Sequence, residues 1–137
     1  MMPKVVPLKP VETEKITINL GHVDLGRIDL LVQEGFYSNR TDFIRTAIRS
    51  QIASEQDHVT QLVRRNMMEV GLLDLTRADL EAARDRNEML DIRVVGLARI
   101  GSDVSADLAK ATIGSIKVLG TLQAGKDIKA ALGDRIT

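Results

Sequence analysis

The chain has 137 residues, of which 44% are hydrophobic and 28% are charged, a composition typical of a folded globular protein. It contains no cysteine, which excludes disulfide frameworks, thiolate zinc sites and cysteine nucleophiles. A net charge of zero argues against a strongly basic protein that coats nucleic acid, and an aromatic content of 2% argues against a stacking surface for single strands.

The N-terminal residues 1–14 are predicted to form a flexible arm, because three prolines in the first ten residues interrupt regular structure. This stretch does not have the apolar segment of a secretory signal. No apolar run in the chain approaches the roughly 18 residues needed to span a membrane. We therefore expect a cytoplasmic protein with no membrane partner.

Residues 15–20 alternate between polar and apolar side chains, which predicts a β-strand with two different faces. One face carries the hydrogen-bonding side chains Lys15, Thr17 and Asn19, and the other carries Ile16, Ile18 and Leu20. A lone strand cannot satisfy its backbone hydrogen bonds, and its nearest available partner is the same strand of a second chain. A two-stranded antiparallel ribbon of this kind can enter the major groove of DNA.

Two helices are predicted after the strand. The first covers about 22–34 and ends at Gly35, because glycine adopts the left-handed conformation cheaply. The second begins near Ser38 or Asn39, either of which can cap it, and runs to about residue 54, with Asp42 in its first turn. This strand–helix–helix module of about 40 residues is too small to fold alone, which predicts an obligate dimer.

Residues 14–54 resemble the ribbon-helix-helix family of bacterial DNA-binding proteins, the Arc, MetJ and CopG type. The matching features are the alternating strand 15–20, the turn Gly-Phe-Tyr-Ser-Asn-Arg-Thr at 35–41, and the helix opening Asp-Phe-Ile-Arg at 42–45. The sequence departs from the usual family pattern at Gly21-His22, which replaces a small hydroxyl cap before the first helix.

The resemblance implies double-stranded DNA as the partner. Lys15, Thr17 and Asn19 would contact bases from the paired strands. The backbone amides near Ser38, Asn39 and Arg40 would hold a phosphate at the helix start, where free N–H groups attract anions. By the same reasoning we expect the protein to associate with the nucleoid.

Residues 57–90 are predicted to form a helical connector between two parts of the chain. A third helix is predicted from apolar positions that begin at Val59 and continue to Val70, ended by Gly71. A fourth is predicted near 77–89, with Thr76 as its cap and Asp79 three residues later.

The C-terminal part contains an internal similarity. Residues 91–108 align without gaps on residues 115–132, at an offset of 24, with seven identities in eighteen positions. The pattern indicates a duplicated β-rich unit, in which each copy forms a bent strand, a Gly-x-Asp turn and a short helix. Gly96 and Gly120 are expected at a bulge or a close backbone approach. Two such units bury little area between them, so residues 91–137 are predicted to stack on copies from other chains.

The sequence as a whole predicts an α+β fold with an arm (1–14), a ribbon-helix-helix DNA-binding module (15–56), a helical connector (57–90) and an oligomerisation unit (91–137). The function expected is that of a sequence-specific transcriptional regulator, a repressor, acting as a homodimer or higher homo-oligomer. No catalytic residue, metal site or cofactor is predicted, because no motif for one is present. An antitoxin of a toxin–antitoxin pair and a DNA-tethered structural protein are the alternatives.

Overall fold

A computed structural model describes residues 5–6 and 13–137. Most of the predicted N-terminal arm lies outside these residues. The described chain is α+β and divides into two compact units, with the boundary between Leu62 and Val63. We call residues 13–62 the N-terminal unit and residues 63–137, together with Val5–Val6, the C-terminal unit.

The N-terminal unit contains the two helices predicted from the sequence. Helix α1 covers His22–Gln33 and helix α2 covers Arg40–Ser54. The turn between them is a Schellman motif, in which Gly35 has φ +84° and the Phe36 N–H donates to the carbonyl of Leu31 at 3.0 Å. The predicted role of Gly35 as the stop of the first helix is therefore confirmed.

Residues Lys15–Leu20 pair with no strand in the part of the chain that the structure describes. A ribbon built from this segment needs the same segment of a second copy, so the ribbon stays a prediction.

Helix α3, Gln56–Arg65, is shorter than the sequence suggested. The predicted third helix continued through Val70 and ended at Gly71, and this prediction was wrong: Glu69–Leu75 form strand β2, with Gly71 inside it. The helix ends earlier because Met67 adopts the left-handed conformation at φ +51° and the Met68 N–H donates to the carbonyl of Val63 at 2.9 Å. The apolar residues after this turn belong to a different element.

The C-terminal unit alternates strands and helices. After β2 come α4 (Arg77–Asp85), β3 (Leu90–Ile100), α5 (Ala106–Thr112), β4 (Ile113–Gln123) and α6 (Lys126–Leu132), followed by a short 3₁₀ turn at Gly133–Arg135. Strands β2, β3 and β4 lie side by side in that order and are parallel. The two-residue strand β1, Val5–Val6, pairs antiparallel with the outer edge of β2.

Strands β3 and β4 pair in the same register as the sequence alignment. Ile92 lies opposite Ile116, Val94 opposite Val118 and Gly96 opposite Gly120, each pair separated by 24 residues. Strand β2 adds a third glycine to this row across the sheet, because Gly71 lies opposite Gly96. Each strand is followed by one helix, so the unit has three strand–helix steps.

The first of these steps, β2 with α4, was not recognised in the sequence. Its signal is the Val-Gly-Leu of residues 70–72, which matches residues 95–97 at an offset of 25. The turn from β2 to α4 is four residues shorter than the turn from β3 to α5, because Thr76 caps α4 directly after Leu75 whereas Ser105 caps α5 five residues after Ile100. This difference changes the spacing and hides the similarity further along. The cap of α4 was predicted correctly: Thr76 accepts from the Asp79 N–H at 3.1 Å, and the Asp79 carboxylate accepts from the Thr76 N–H at 3.2 Å.

One hydrophobic core joins the three strands to the three helices. The side chains in this core alternate along each strand with outward-facing ones and meet the apolar stripe of each helix. Its fully buried members include Leu75, Leu80, Val94, Ile113 and Ile116. Buried side chains of α4, α5 and α6 all belong to this one cluster, so the three helices pack on the same face of the sheet. Right-handed crossovers between parallel strands in sequential order would place them there.

The glycine row at positions 71, 96 and 120 is required by the close approach of neighbouring strands. A Cβ atom added at Gly120 would lie 2.0 Å from the carbonyl oxygen of Gly96, and one added at Gly96 would lie 2.2 Å from that of Gly71. Both residues also have positive φ, +122° and +140°, which side chains other than glycine rarely adopt. The expectation of a close backbone approach at these two positions agrees with this geometry.

No helix in the part of the chain that the structure describes combines the length and apolarity required to span a bilayer.

The glycine row gives a stability prediction. Gly120→Ala should lower the free energy of unfolding by at least about 2 kcal/mol, because it adds both a backbone clash and an unfavourable φ. Urea denaturation at a fixed protein concentration measures the change. Gly114→Ala in the same strand is the control: its added Cβ would meet no atom closer than 3.4 Å, so stability should change by less than about 0.5 kcal/mol. Equal stabilities of the two variants would contradict the packing described.

Candidate nucleic-acid interface

The N-terminal unit has almost no core of its own. Ile28 is its single buried large apolar side chain among the described residues, at 5% exposure, and no residue of α2 is buried. The apolar face of the predicted strand is exposed, with Ile18 at 54%. A unit of 50 residues with this little burial cannot offset the conformational entropy lost on folding. It requires a partner that covers the same surface.

The uncovered apolar surface is a groove of about 390 Å³. It is lined by Ile18 and Leu20 of the predicted strand, by α1 and by the apolar stripe of α2, with Asp24 and Arg27 at its polar edge: Ile18, Leu20, Asp24, Arg27, Ile28, Leu31, Phe43, Ile44, Ala47 and Ile48. We call this surface the apolar groove. A second groove of similar size runs beside it between residues 14–18 and α2.

Two of the three predicted base-contacting residues, Thr17 and Asn19, lie outside both grooves. Lys15, Thr17 and Asn19 are all exposed. Ile16 and Ile18 line the grooves against α2, whereas Thr17 and Asn19 line neither. Lys15, by contrast, lines the second groove together with Ile16 and Ile18. The alternation expected of a strand therefore holds for Thr17 and Asn19 but not for Lys15.

The start of α2 is capped by side chains rather than left open. The Asn39 side chain accepts from the Asp42 N–H at 2.8 Å, and the Asp42 carboxylate accepts from the Ser38 N–H at 2.9 Å. These bonds satisfy the third helical N–H and fix the turn before the helix. The ring of Tyr37 packs edge-on against Phe43, with centroids 4.9 Å apart, and holds the same turn against the helix. The donors that remain for an anion at this end belong to the first two residues, Arg40 and Thr41.

The side chain of Arg40 is engaged within the chain. Its guanidinium donates two hydrogen bonds to the carboxylate of Asp29, both at 2.8 Å, and so joins the start of α2 to α1. This hydrogen-bonded pair lowers the pKa of Asp29 below its usual range and raises the pKa of Arg40. In this state the guanidinium orients the two helices instead of projecting alone from the helix start.

Two other arginines lie beside the capped turn. A shallow recess of about 380 Å³ is lined by Ser38, Asn39, Thr41, Asp42, Arg45 and Arg49. Arg45 and Arg49 are about one helical turn apart on α2, and both are exposed. Neither arginine was predicted as a site residue from the sequence. Their i, i+4 spacing after a helix cap was the signal that could have indicated a basic recess.

Residues 13–137 contain no cluster of three or more histidine, aspartate or glutamate side chains that could hold a metal ion. The expectation that the protein uses no cofactor stays a prediction.

Comparison with known proteins identifies the family. The model of a family described as "Ribbon-Helix-Helix transcriptional regulator family" matches residues 11–129. These residues include the segment 15–20, α1, α2 and nearly all of the C-terminal unit. The chain belongs to the ribbon-helix-helix transcriptional regulator family. The resemblance found in the sequence is therefore confirmed, and the family consists of DNA-binding transcriptional regulators. No curated protein and no solved structure matches at a significant level.

The ion pair between the helices gives a prediction for this ribbon-helix-helix protein. Arg40→Gln should return the pKa of the Asp29 carboxyl towards its ordinary value, because the hydrogen bonds from Arg40 are the largest cause of its lowering. The folded pKa is depressed, so the pair stabilises the fold above the unfolded pKa, about 4, and this contribution is lost as pH falls through the folded pKa. A carboxyl carbon NMR titration measures the shift.

Arg45→Gln serves as the matched control, since Arg45 does not contribute to the shift at Asp29. An Asp29 titration that is identical in wild type and Arg40→Gln would show that the pair does not form in solution.

Proposed function

We propose that the protein is a transcriptional repressor that binds a specific operator as a homodimer, with residues 15–20 of two protomers paired as an antiparallel ribbon in the major groove. The single observation that carries this proposal is the apolar groove beside an unpaired, alternating segment. A second copy of the segment satisfies the backbone hydrogen bonds and covers the groove at once. Dimer formation also explains why α2 is amphipathic but unburied in one chain.

In the proposed dimer, six side chains reach base edges: Lys15, Thr17 and Asn19 of each protomer. Asparagine can pair with adenine through two hydrogen bonds, threonine offers a hydroxyl and a methyl group, and lysine can donate to guanine or phosphate. A neutral protein does not hold DNA by net charge, so these contacts must supply most of the discrimination between sites. Two-fold symmetry implies an operator with two related half-sites.

Phosphate contacts are proposed at the start of α2. The N–H groups of Arg40 and Thr41 lie at the N-terminal end of α2, which is also the positive end of the helix dipole. Ser38 and Asn39 contribute by fixing the turn, and Arg45 and Arg49 add positive charge in the adjacent recess. The Arg40 side chain reaches phosphate only by exchanging or sharing its bond with Asp29. These contacts set the position of the ribbon but carry no sequence information.

Repression needs no further activity, because a regulator bound over a promoter excludes other proteins from that DNA. The antitoxin alternative is less well supported. Antitoxins of this kind usually wrap their toxin with a disordered tail, whereas residues 63–137 contain a continuous buried core. The structural alternative shares the same DNA-binding unit and differs in what the C-terminal unit assembles.

The reading face is tested by Thr17→Ala/Asn19→Ala. The operator is first obtained by selection from random DNA, and binding to the operator and to random DNA is then measured by gel shift at one salt concentration. Each lost base contact should cost about 1–3 kcal/mol, so discrimination should fall by at least about 100-fold while affinity for random DNA is unchanged. Thr60→Ala/Gln61→Ala on α3 is the control and should preserve discrimination. An unaltered operator preference in the first variant would refute the assignment of the reading face.

The dimer interface is tested by Ile18→Asp. The substitution places a charge in the apolar groove, which costs several kcal/mol when the group is desolvated, so the N-terminal unit should lose its cooperative melting transition. Thr17→Asp, one residue away in the same segment, should keep this transition although it no longer binds DNA. Calorimetry reports the transition and gel shift reports DNA binding. A normal melting curve for Ile18→Asp would contradict the proposed packing.

A further inference from the structure

The arginine at the start of α2 is neutralised by a carboxylate from another helix. Arg40 is the first residue of α2, where the positive end of the helix dipole makes a cation unfavourable. Helix α4 also begins at an arginine, and there Arg77 donates to Glu81, one turn further along the same helix, at 2.8 Å. In α2 the corresponding position is Ile44, and Arg40 bonds instead to Asp29 of α1, eleven residues earlier.

Stability gives little reason for a carboxylate at position 29. Asp29 lies in the second half of α1, where aspartate neither favours a helix nor complements the helix dipole. The side chains of Asp29 and Arg40 are 51% and 53% exposed, and ion pairs as exposed as this contribute little to the free energy of unfolding. The main physical consequence of the pair is therefore that it holds the Arg40 guanidinium.

A carboxylate and a DNA phosphate compete for the same donors of Arg40. The guanidinium presents Nε–H and Nη2–H as a fork, and Asp29 accepts from both at 2.8 Å. Phosphate oxygens bind such a fork in the same two-bond geometry. A phosphate that takes the fork leaves the Asp29 carboxylate charged and unpaired beside it, so one anion is exchanged for another. This exchange adds little net neutralisation of phosphate, which is the main source of affinity for DNA of any sequence.

We infer that Asp29 is a positioning residue that restrains the phosphate contact at the start of α2 by competing for Arg40. This inference rests on the proposed function, because it takes the phosphate contact at α2 from there. The carboxylate opposes that contact on DNA of any sequence, whereas the ribbon makes its base contacts only on the operator. Asp29 thus lowers the affinity for DNA in general and leaves discrimination between sites to the base-contacting residues.

Binding of the full-length protein to random double-stranded DNA tests this inference without the operator. The affinity is measured by fluorescence anisotropy over a range of salt concentrations. Asp29→Asn keeps the size of the side chain and removes its charge, which frees one guanidinium in each protomer of the proposed dimer. Two added phosphate contacts should raise the affinity about tenfold at low salt and steepen the slope of log affinity against log salt by about 2. Asp29→Ser should do the same, and both variants should keep the wild-type melting transition.

Two controls separate this competition from a general effect of charge. Glu81→Gln removes the same charge and also frees an arginine at the start of a helix, Arg77 of α4, which the proposed function does not place at DNA. It should change the affinity by less than about twofold and leave the salt slope unaltered. In the background of Arg40→Gln, Asp29→Asn should also leave the salt slope unaltered, because no guanidinium remains to be freed. A purely structural role of Asp29 would not change the salt slope in any background.

The outcomes distinguish this inference from the proposed function. An unchanged salt slope in Asp29→Asn, an equal change in Glu81→Gln, or a full effect of Asp29→Asn without Arg40 would each overturn the inference, even where the wild type prefers its operator. An Asp29 effect in a protein that has no operator preference would support the inference and contradict the proposed reading of DNA. Failure of the wild type and of every variant to bind random DNA would contradict both.

Discussion

The N-terminal unit depends on burial between chains, because its own helices leave nearly all of their apolar surface in water. Ile28 alone is buried there, and the groove against α2 is open. Hydrophobic burial is the main free energy that opposes chain entropy, so a unit of this size must obtain it from a partner. In the proposed ribbon, the same pairing would satisfy the backbone of residues 15–20 and present the polar side chains together. Folding, dimerisation and the proposed reading of DNA are in this way consequences of one interface.

The C-terminal unit follows a different physical rule. Three strand–helix steps share a continuous core, and a row of glycines allows the strands to approach closely. This unit can bury its core within one chain, except along β4.

Local patterns in the sequence predicted the N-terminal helices, the glycine stop at Gly35 and the Thr76 cap, because these features depend on neighbouring residues. The helix predicted through Val70 was wrong because Val63, Met67 and Val70 match a helical period equally well whether or not a strand begins at Glu69. The Asp29–Arg40 pair could not be predicted, since it joins residues eleven apart across a turn. The ribbon itself involves a second chain, so one chain's structure leaves Lys15, Thr17 and Asn19 as predicted contacts.

The most direct measurement of the central claim is an isotope-filtered NMR experiment on a dimer that mixes labelled and unlabelled chains. It detects contacts between protomers and ignores contacts within one chain. The account predicts contacts between residues 15–20 of one protomer and the same residues of the other, in antiparallel order, together with contacts from Ile18 to the partner's α2. A monomeric protein, or contacts between protomers that omit residues 15–20, would contradict it.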